Sequence, residues 1–331
     1  MRSLLLFLCL AALAGLCAFS VMPLLWRFDP RFVALVPAAP QFAAAGLILA
    51  VVLLALKSRK AAVLALGLAL WNVWPVAGDF AGGSPAQANA VPPLKVISFN
   101  LYYANNDPAA TLAYLTQSGA DVIGLVEATP RLKAALAPLQ ALYPYGVDCI
   151  DSDPYCEIML LSKHPLRKLY AGPIEGRYPY VAEAELNWSG RPVTIAMTHL
   201  SWPFLLPGKP VLNATGLASA PPEFPDVPRL TQSIQAANLA QHVNKLPQDL
   251  VLMGDFNSAS WSAMQEAFRI ETGLDNRGHY RPRWPSWAWP VFRLPIDHVF
   301  VRGGPRIAAI RTGPAVGSDH LPIEAEIAAG P

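Results

Sequence analysis

Three uncharged apolar runs, at 3–22, 41–56 and 61–76, dominate the start of the chain and restrict where that part can reside. A bilayer span needs roughly 20 apolar residues, about 17 at the short end. The first run meets that length, and the other two reach it if flanking residues snorkel. A cleaved signal peptide followed by buried core helices is the competing reading, since Arg2 and the Leu-rich stretch behind it resemble an n-region and an h-region. The short basic turn of Lys57, Arg59 and Lys60 between the second and third runs favours a helical hairpin in lipid instead. Cytoplasmic loops carry the excess of Lys and Arg. With that turn inside, Arg2, Lys57, Arg59 and Lys60 are cytoplasmic and Arg27 and Arg31 are outside, so everything after Asp79 lies outside. The expectation is an integral protein of the inner or plasma membrane, with residues 1–79 in the bilayer as three helices.

Residues 80–93 include Gly82, Gly83, Pro85, Pro92 and Pro93 and read as a linker, leaving 94–331 as one domain large enough to bury a core. From position 80 onward there are 19 basic and 21 acidic residues, a net charge of −2. A domain gripping duplex nucleic acid through its phosphates is usually basic, so this balance weakens such a reading. Cys149 and Cys156 flank the polar loop 150–155. They would pair in an oxidising compartment and stay free in the cytosol, and the orientation vote favours the bridge.

Short apolar runs at 94–99, 122–126, 158–161, 181–186, 193–197, 250–253, 296–301 and 323–327 read as strands. Helical patterns fit 130–142, 229–246, 260–268 and a segment opened by Asp107 and Pro108 and stopped by Gly119. Runs that do not alternate cleanly imply sheets buried on both faces, hence a layered α/β sandwich. The misfit is 201–228, 28 residues with seven prolines and no periodicity, long for a structureless loop and typical of functional ones.

Nearly every candidate strand carries a polar residue at an end. Asn100, Glu127 and His199 each end one, Asp255 and Asn257 follow 250–254, Asp297 sits at the start of 296–301, and Asp319 and His320 precede the last. Singly, each has a structural explanation, as a cap, a core histidine or an ion-pair partner. Together, carboxylates, amides and imidazoles without a cysteine cluster suit a hard cation such as Mg2+ or Mn2+. They also form the inventory for in-line phosphoryl displacement.

The order of Gly254-Asp255-Phe256-Asn257 and Ser318-Asp319-His320-Leu321-Pro322 resembles the signature motifs of the endonuclease/exonuclease/phosphatase superfamily. Ser98-Phe99-Asn100, the Glu127 strand, Thr198-His199-Leu200 and Ile296-Asp297-His298-Val299 are similar to its other motifs. That resemblance covers the chain from about residue 94 to its end. It implies a four-layer sandwich of two mixed β-sheets flanked by helices, and a metal-dependent phosphodiesterase. It further implies Glu127 as principal metal ligand with Asn100 beside it, Asp255 as ligand or water-orienting group, and Asp319 completing the metal side. Asn257 would contact the scissile phosphate, His320 backed by Asp297 would hold or protonate phosphate oxygens, and His199 would stabilise the transition state or leaving group. Val126 departs from the pattern, standing where many members have Gln before the Glu.

The substrate would be a nucleic acid, a phospholipid or a soluble phosphodiester, cut at the extracytoplasmic membrane face, with no protein partner evident. A catalytically inactive, membrane-tethered binding module is the alternative, and it ranks behind because no expected position is lost. A transporter is disfavoured, since the three runs contain no charged residue to line a path.

Overall fold

In the computed structural model each apolar run is helical: α1 (Arg2–Val21), α2 (Ala39–Ala55) and α3 (Arg59–Val73), with a short α4 (Ala77–Phe80) after them. The structure describes residues 1–25, 30–80, 91–175, 177–203, 211–213, 216–218, 232–276, 278 and 280–330. With their 3-10 continuations the three helical segments run 24, 24 and 22 residues, long and apolar enough to cross a membrane. α2 and α3 approach closely because small residues face each other. A Cβ on Gly46 would stand 3.0 Å from the Ala65 carbonyl oxygen, and Ala62, Ala65 and Ala69 are buried. Ile48, Val51, Val63 and Leu70 point outward and are exposed, a surface that suits lipid rather than water.

The chain divides into two compact units, Met1–Gly82 and Gly83–Pro331. Of the expected linker 80–93, residues 81–90 lie outside the described residues, as does most of the proline-rich 201–228.

The second unit is built on strands β1 (Leu94–Asn100), β2 (Val122–Val126), β3 (Tyr145–Asp148), β4 (Met159–Ser162), β5 (Leu166–Ile174), β6 (Arg177–Trp188), β7 (Arg191–His199), β8 (Val211–Asn213), β9 (Gly216–Ala218), β10 (Leu250–Asp255), β11 (Asp297–Arg302), β12 (Arg306–Thr312) and β13 (Ile323–Ala328). Six form one sheet in the order β12-β13-β1-β2-β4-β3, and five form a second, β11-β10-β7-β6-β5, while β8 and β9 pair only with each other. Both large sheets are mixed: β1 and β2 run parallel, as do β7 and β10, and the other pairs are antiparallel.

The sheets face each other across one core of Val96, Ile123, Leu125, Met197, Val251 and Met253 with their neighbours. Gly124 lets the sheets pack closely there, since a Cβ would stand 2.6 Å from the Met197 sulfur and push that side chain aside. Helices α5 (Pro108–Gln117) and α6 (Pro130–Ala135) place Leu115 and Leu132 in that core. On the second sheet α7 (Gln232–Val243) and α8 (Ala263–Thr272) bury Leu239, Ala240 and Phe268 against Leu250, Leu252 and Phe300. Four layers result, as the resemblance implies. Local signals set the helix starts: Asp107, Thr129 and Ser262 each accept a backbone N–H of the first turn.

β3, β5 and β12 have no counterpart in the sequence reading. All three are outermost, half-solvated strands: β3 has only four residues, Arg167 and Lys168 interrupt β5, and the short apolar stretch 307–310 of β12 is bracketed by Arg306 and Arg311. Cys149 and Cys156 form a disulfide across the loop between β3 and β4.

At the end of β10 the backbone of Gly254 has φ +150°, and an added Cβ would fall 1.9 Å from the Thr198 carbonyl oxygen of β7. Gly254→Ala should cost about 3 kcal/mol or more, a fall in Tm on the order of 10 °C. Gly119→Ala, at a left-handed φ but with open space around the Cβ, should cost only about 1 kcal/mol. Thermal melts of the two variants check the difference, and equal losses would contradict it.

Candidate active site

Register brings the polar strand ends together. Asp255, the last residue of β10, lies directly beside His199 of β7 on one side and Asp297 of β11 on the other. In the facing sheet Asn100 ends β1 beside Val126 of β2, and Glu127 follows. Glu127, Asn257 and Tyr102 all adopt left-handed backbone, with φ of +53°, +48° and +59°. Such residues cost of order 1–2 kcal/mol each, so the surrounding bonds must hold them. The Tyr103 N–H donates to Glu127 Oε2 at 2.8 Å, and the Asn257 N–H donates to Asp255 Oδ1 at 2.8 Å. Asn100 joins the two sheets, its Nδ2 donating to Glu127 Oε1 at 2.8 Å and to Asp255 Oδ2 at 3.0 Å. Its Oδ1 accepts from the Tyr102 N–H at 2.9 Å, so serving as an oxygen ligand would require the amide to turn.

The last motif is tied down by Ser318, whose hydroxyl donates to the Asn100 carbonyl at 2.7 Å and accepts from the His320 N–H at 2.9 Å. His320 is buried, with Nδ1 at 3.0 Å from Asp297 Oδ2 and Nε2 at 3.7 Å from Asp255 Oδ2. His199 mirrors it: Nδ1 lies 2.6 Å from Glu157 Oε1 and Nε2 lies 3.8 Å from the same Asp255 Oδ2. Both Nε2 distances are too long for a hydrogen bond. Asn257 Nδ2 lies 3.4 Å from His199 Nε2 and donates to the Leu200 carbonyl at 2.8 Å. Asp319 Oδ2 accepts from Trp284 Nε1 at 3.0 Å, while its buried Oδ1 has no hydrogen-bond partner.

Charge follows from this arrangement. Burial pushes the Asp255 carboxyl up to about 7, and Asp297 adds to the rise while the two imidazoles oppose it. Burial likewise raises Glu127 above its ordinary value, against the pull of His199. For His199 burial disfavours the charged form, but Glu157 outweighs it with help from Asp255 and Glu127, and the imidazole is raised to about 10. His320, opposed by burial and supported chiefly by Asp297, is raised to about 9. Two imidazolium groups therefore stand over one buried carboxylate, with oxygen donors from Glu127 and Asp319 alongside. Asp255, Asp297 and His320 also offer ligand atoms within 4.8 Å of one another, but both Asp297 oxygens lie 3.0–3.1 Å from His320 Nδ1 and are engaged there.

The structure brings together the residues singled out in the sequence, Asn100, Glu127, His199, Asp255, Asn257, Asp297, Asp319 and His320, in one cluster. Three contributors escaped that reading: Glu157 on His199, Trp284 on Asp319, and Arg283. Arg283 is buried with two guanidinium nitrogens lacking hydrogen-bond partners, and burial lowers its pKa to about 9 against the pull of Asp297. Glu157 carried the usual signal, a lone charge beside a buried strand, but at the strand's start.

The folded pKa of His199 stands above its ordinary value near 6.5, so its pair with Glu157 stabilises the fold fully below that value and loses the contribution as pH rises through about 10. Glu157→Gln should move the His199 pKa down toward the ordinary range. An NMR titration of the imidazole Cε1 proton checks this, and an unmoved pKa would refute the pairing.

Residues 97–320 match the Endonuclease/Exonuclease/phosphatase family. Among solved structures, the chain is similar to an endonuclease/exonuclease/phosphatase from Beutenbergia cavernae, with TM-score 0.52, 16% identity and 72% of each chain covered. It is also similar to a humanized D. rerio TDP2, with TM-score 0.51, 16% identity and coverage of 71% of this chain and 99% of that one. The human Nocturnin catalytic domain follows at TM-score 0.50, 15% identity, and 73% and 96% coverage. At such identities these likenesses speak for the fold alone. No curated protein matches the sequence. The matched stretch encloses the whole cleft, from the Asn100 strand to His320, and the chain belongs to the Endonuclease/Exonuclease/phosphatase family.

Proposed function

We propose that the chain hydrolyses phosphoester bonds in this cleft with the help of a divalent hard cation, Mg2+ or Mn2+. The observation that carries the reading is the convergence on Asp255 of Glu127, through the shared Asn100 amide, and of two imidazoles whose Nε2 atoms lie 3.7 and 3.8 Å from its Oδ2. The carboxylate side fits a cation. Glu127, Asp255 and Asp319 offer only oxygen, none of them makes an ion pair with Lys or Arg among the described residues, and Asp319 Oδ1 is buried without a hydrogen-bond partner, 4.0 Å from His320 Nε2. Glu127 and Asp319 would hold the ion, Asp255 would border it, and Asn100 would position Glu127 and Asp255 through its amide. When bound, such an ion neutralises charge developing on the phosphate oxygens.

The side chains do the rest. Asp255, with its carboxyl raised to about 7, orients the attacking water and takes its proton as the new P–O bond forms. Asn257 Nδ2 and His320 Nε2 donate to the phosphoryl oxygens, and Asp297 fixes the ring of His320 in a donating orientation. As the ester P–O bond breaks, His199 Nε2 gives its proton to the departing oxygen, and Glu157 keeps that imidazole charged beforehand. The cut bond belongs to a nucleic acid, a phospholipid or a soluble phosphodiester.

Glu127→Gln should reduce turnover of bis(p-nitrophenyl) phosphate by about a thousandfold or more with little change in Tm. Excess EDTA should stop the wild-type reaction, and Mg2+ or Mn2+ should restore it. Undiminished turnover in EDTA would overturn the cation assignment.

The catalytic unit is placed, in this proposal, on the extracytoplasmic side of an inner or plasma membrane. Support comes from the Lys and Arg balance around the three apolar helices and from the Cys149–Cys156 disulfide. A carboxyl-terminal reporter active only outside the cytoplasm should give signal, and a cytoplasm-only reporter should stay silent. The reverse pattern would refute the orientation.

A further inference from the structure

Beside the cleft, one loop displays aromatic side chains to solvent. Its base is closed by the backbone bridge between Trp284 and Leu294, and its tip carries Trp287, Trp289 and Phe292 at 81%, 75% and 65% exposure. So much aromatic surface on one short loop calls for an occupant. The loop is held rigidly. Arg293 donates to the Ala288 and Ser286 carbonyls at 2.9 Å each, and the Phe292 N–H donates to the Trp289 carbonyl at 2.8 Å. It is also tied to the site motif. Ser286 donates through its N–H to the Asp319 carbonyl and through its hydroxyl to the Ser318 carbonyl, and Trp284 donates to the Asp319 carboxylate. Whatever the tip rests on is therefore held at the edge of the cleft.

We infer that this loop docks on the phospholipid surface of a bilayer and presents the cleft to the phosphoesters of lipid headgroups. The substrate part rests on the phosphoesterase reading above. Lipid is the occupant favoured by three observations. Indole rings are amphipathic and collect at membrane–water interfaces, and two of the three exposed rings are Trp. Exposed Arg281 stands just before the loop, a sign of charge that suits anionic headgroups. The same chain carries three helices long and apolar enough to cross a membrane, so a bilayer would lie within linker reach. That tether makes docking effectively intramolecular, and a weak aromatic contact then suffices.

The test uses the full chain in nanodiscs of phosphatidylcholine and phosphatidylglycerol, with ordinary or brominated acyl chains. Subtracting the fluorescence of Trp287→Phe/Trp289→Phe from that of wild type isolates the two indoles from the Trp residues of the apolar helices. Their contribution should fall about twofold or more in brominated lipid. An equal contribution in both lipids overturns the docking, including the case in which another protein covers the loop. For the substrate class, Trp287→Ser/Trp289→Ser/Phe292→Ser, with Tm measured alongside, should lower the rate on phosphatidylcholine headgroups relative to that on bis(p-nitrophenyl) phosphate about tenfold. An unchanged ratio, or wild-type turnover of the soluble diester with none of lipid, overturns the lipid assignment. If wild type hydrolyses neither, the phosphoesterase reading and the substrate class both fail, and the quenching alone decides whether the loop docks.

Discussion

Asp255 is a carboxylate with 1% exposure, and the burial of its charge is the constraint around which the cleft is organised. A buried carboxylate without partners would take up a proton and stay neutral. Here the Asn257 N–H and the Asn100 amide bond it directly, and two imidazolium rings stand a little beyond bonding distance. Those rings in turn need Glu157 and Asp297 to remain charged against the same burial. The network closes on itself. Each imidazole keeps a charge that burial would otherwise remove, while Asp255 is left to titrate near neutrality, so no member can be understood alone.

Geometry comes from the sheets. Parallel pairing of β7 with β10 puts His199 and Asp255 at the same level, and the antiparallel partner β11 brings Asp297 to that level from the opposite direction. The approach of β7 to β10 is close enough that position 254 has room only for a hydrogen. Left-handed backbone at Glu127 and Asn257 then turns the chain out of the strands at the cleft. Strain concentrated at one end of a stiff double sheet is affordable because the two cores elsewhere are closely packed.

What escaped the sequence reading has a common physical cause. β3, β5 and β12 sit at sheet edges, where solvent takes one side and no run of apolar residues is required. Glu157 and Trp284 act through contacts with His199 and Asp319, 42 and 35 positions away, and Arg283 feels the charge of Asp297, 14 positions away. Nothing local in the chain encodes such pairings. Nothing in the local sequence marks the aromatic tip at Trp287 and Phe292 as exposed rather than core-forming.

The amino-acid sequence by itself determined the two-part organisation of the chain, the central strands, the capped helix starts and the polar residues at the strand ends. All of these are written in local periodicity, composition and residue order. Tertiary structure decided which of those polar residues face one another, that Asn100 turns its nitrogen rather than its oxygen to the carboxylates, and that Glu157 completes the His199 side. Strand register and the packing of two sheets fix those contacts across as many as 155 positions of chain, a distance over which sequence pattern carries no geometry.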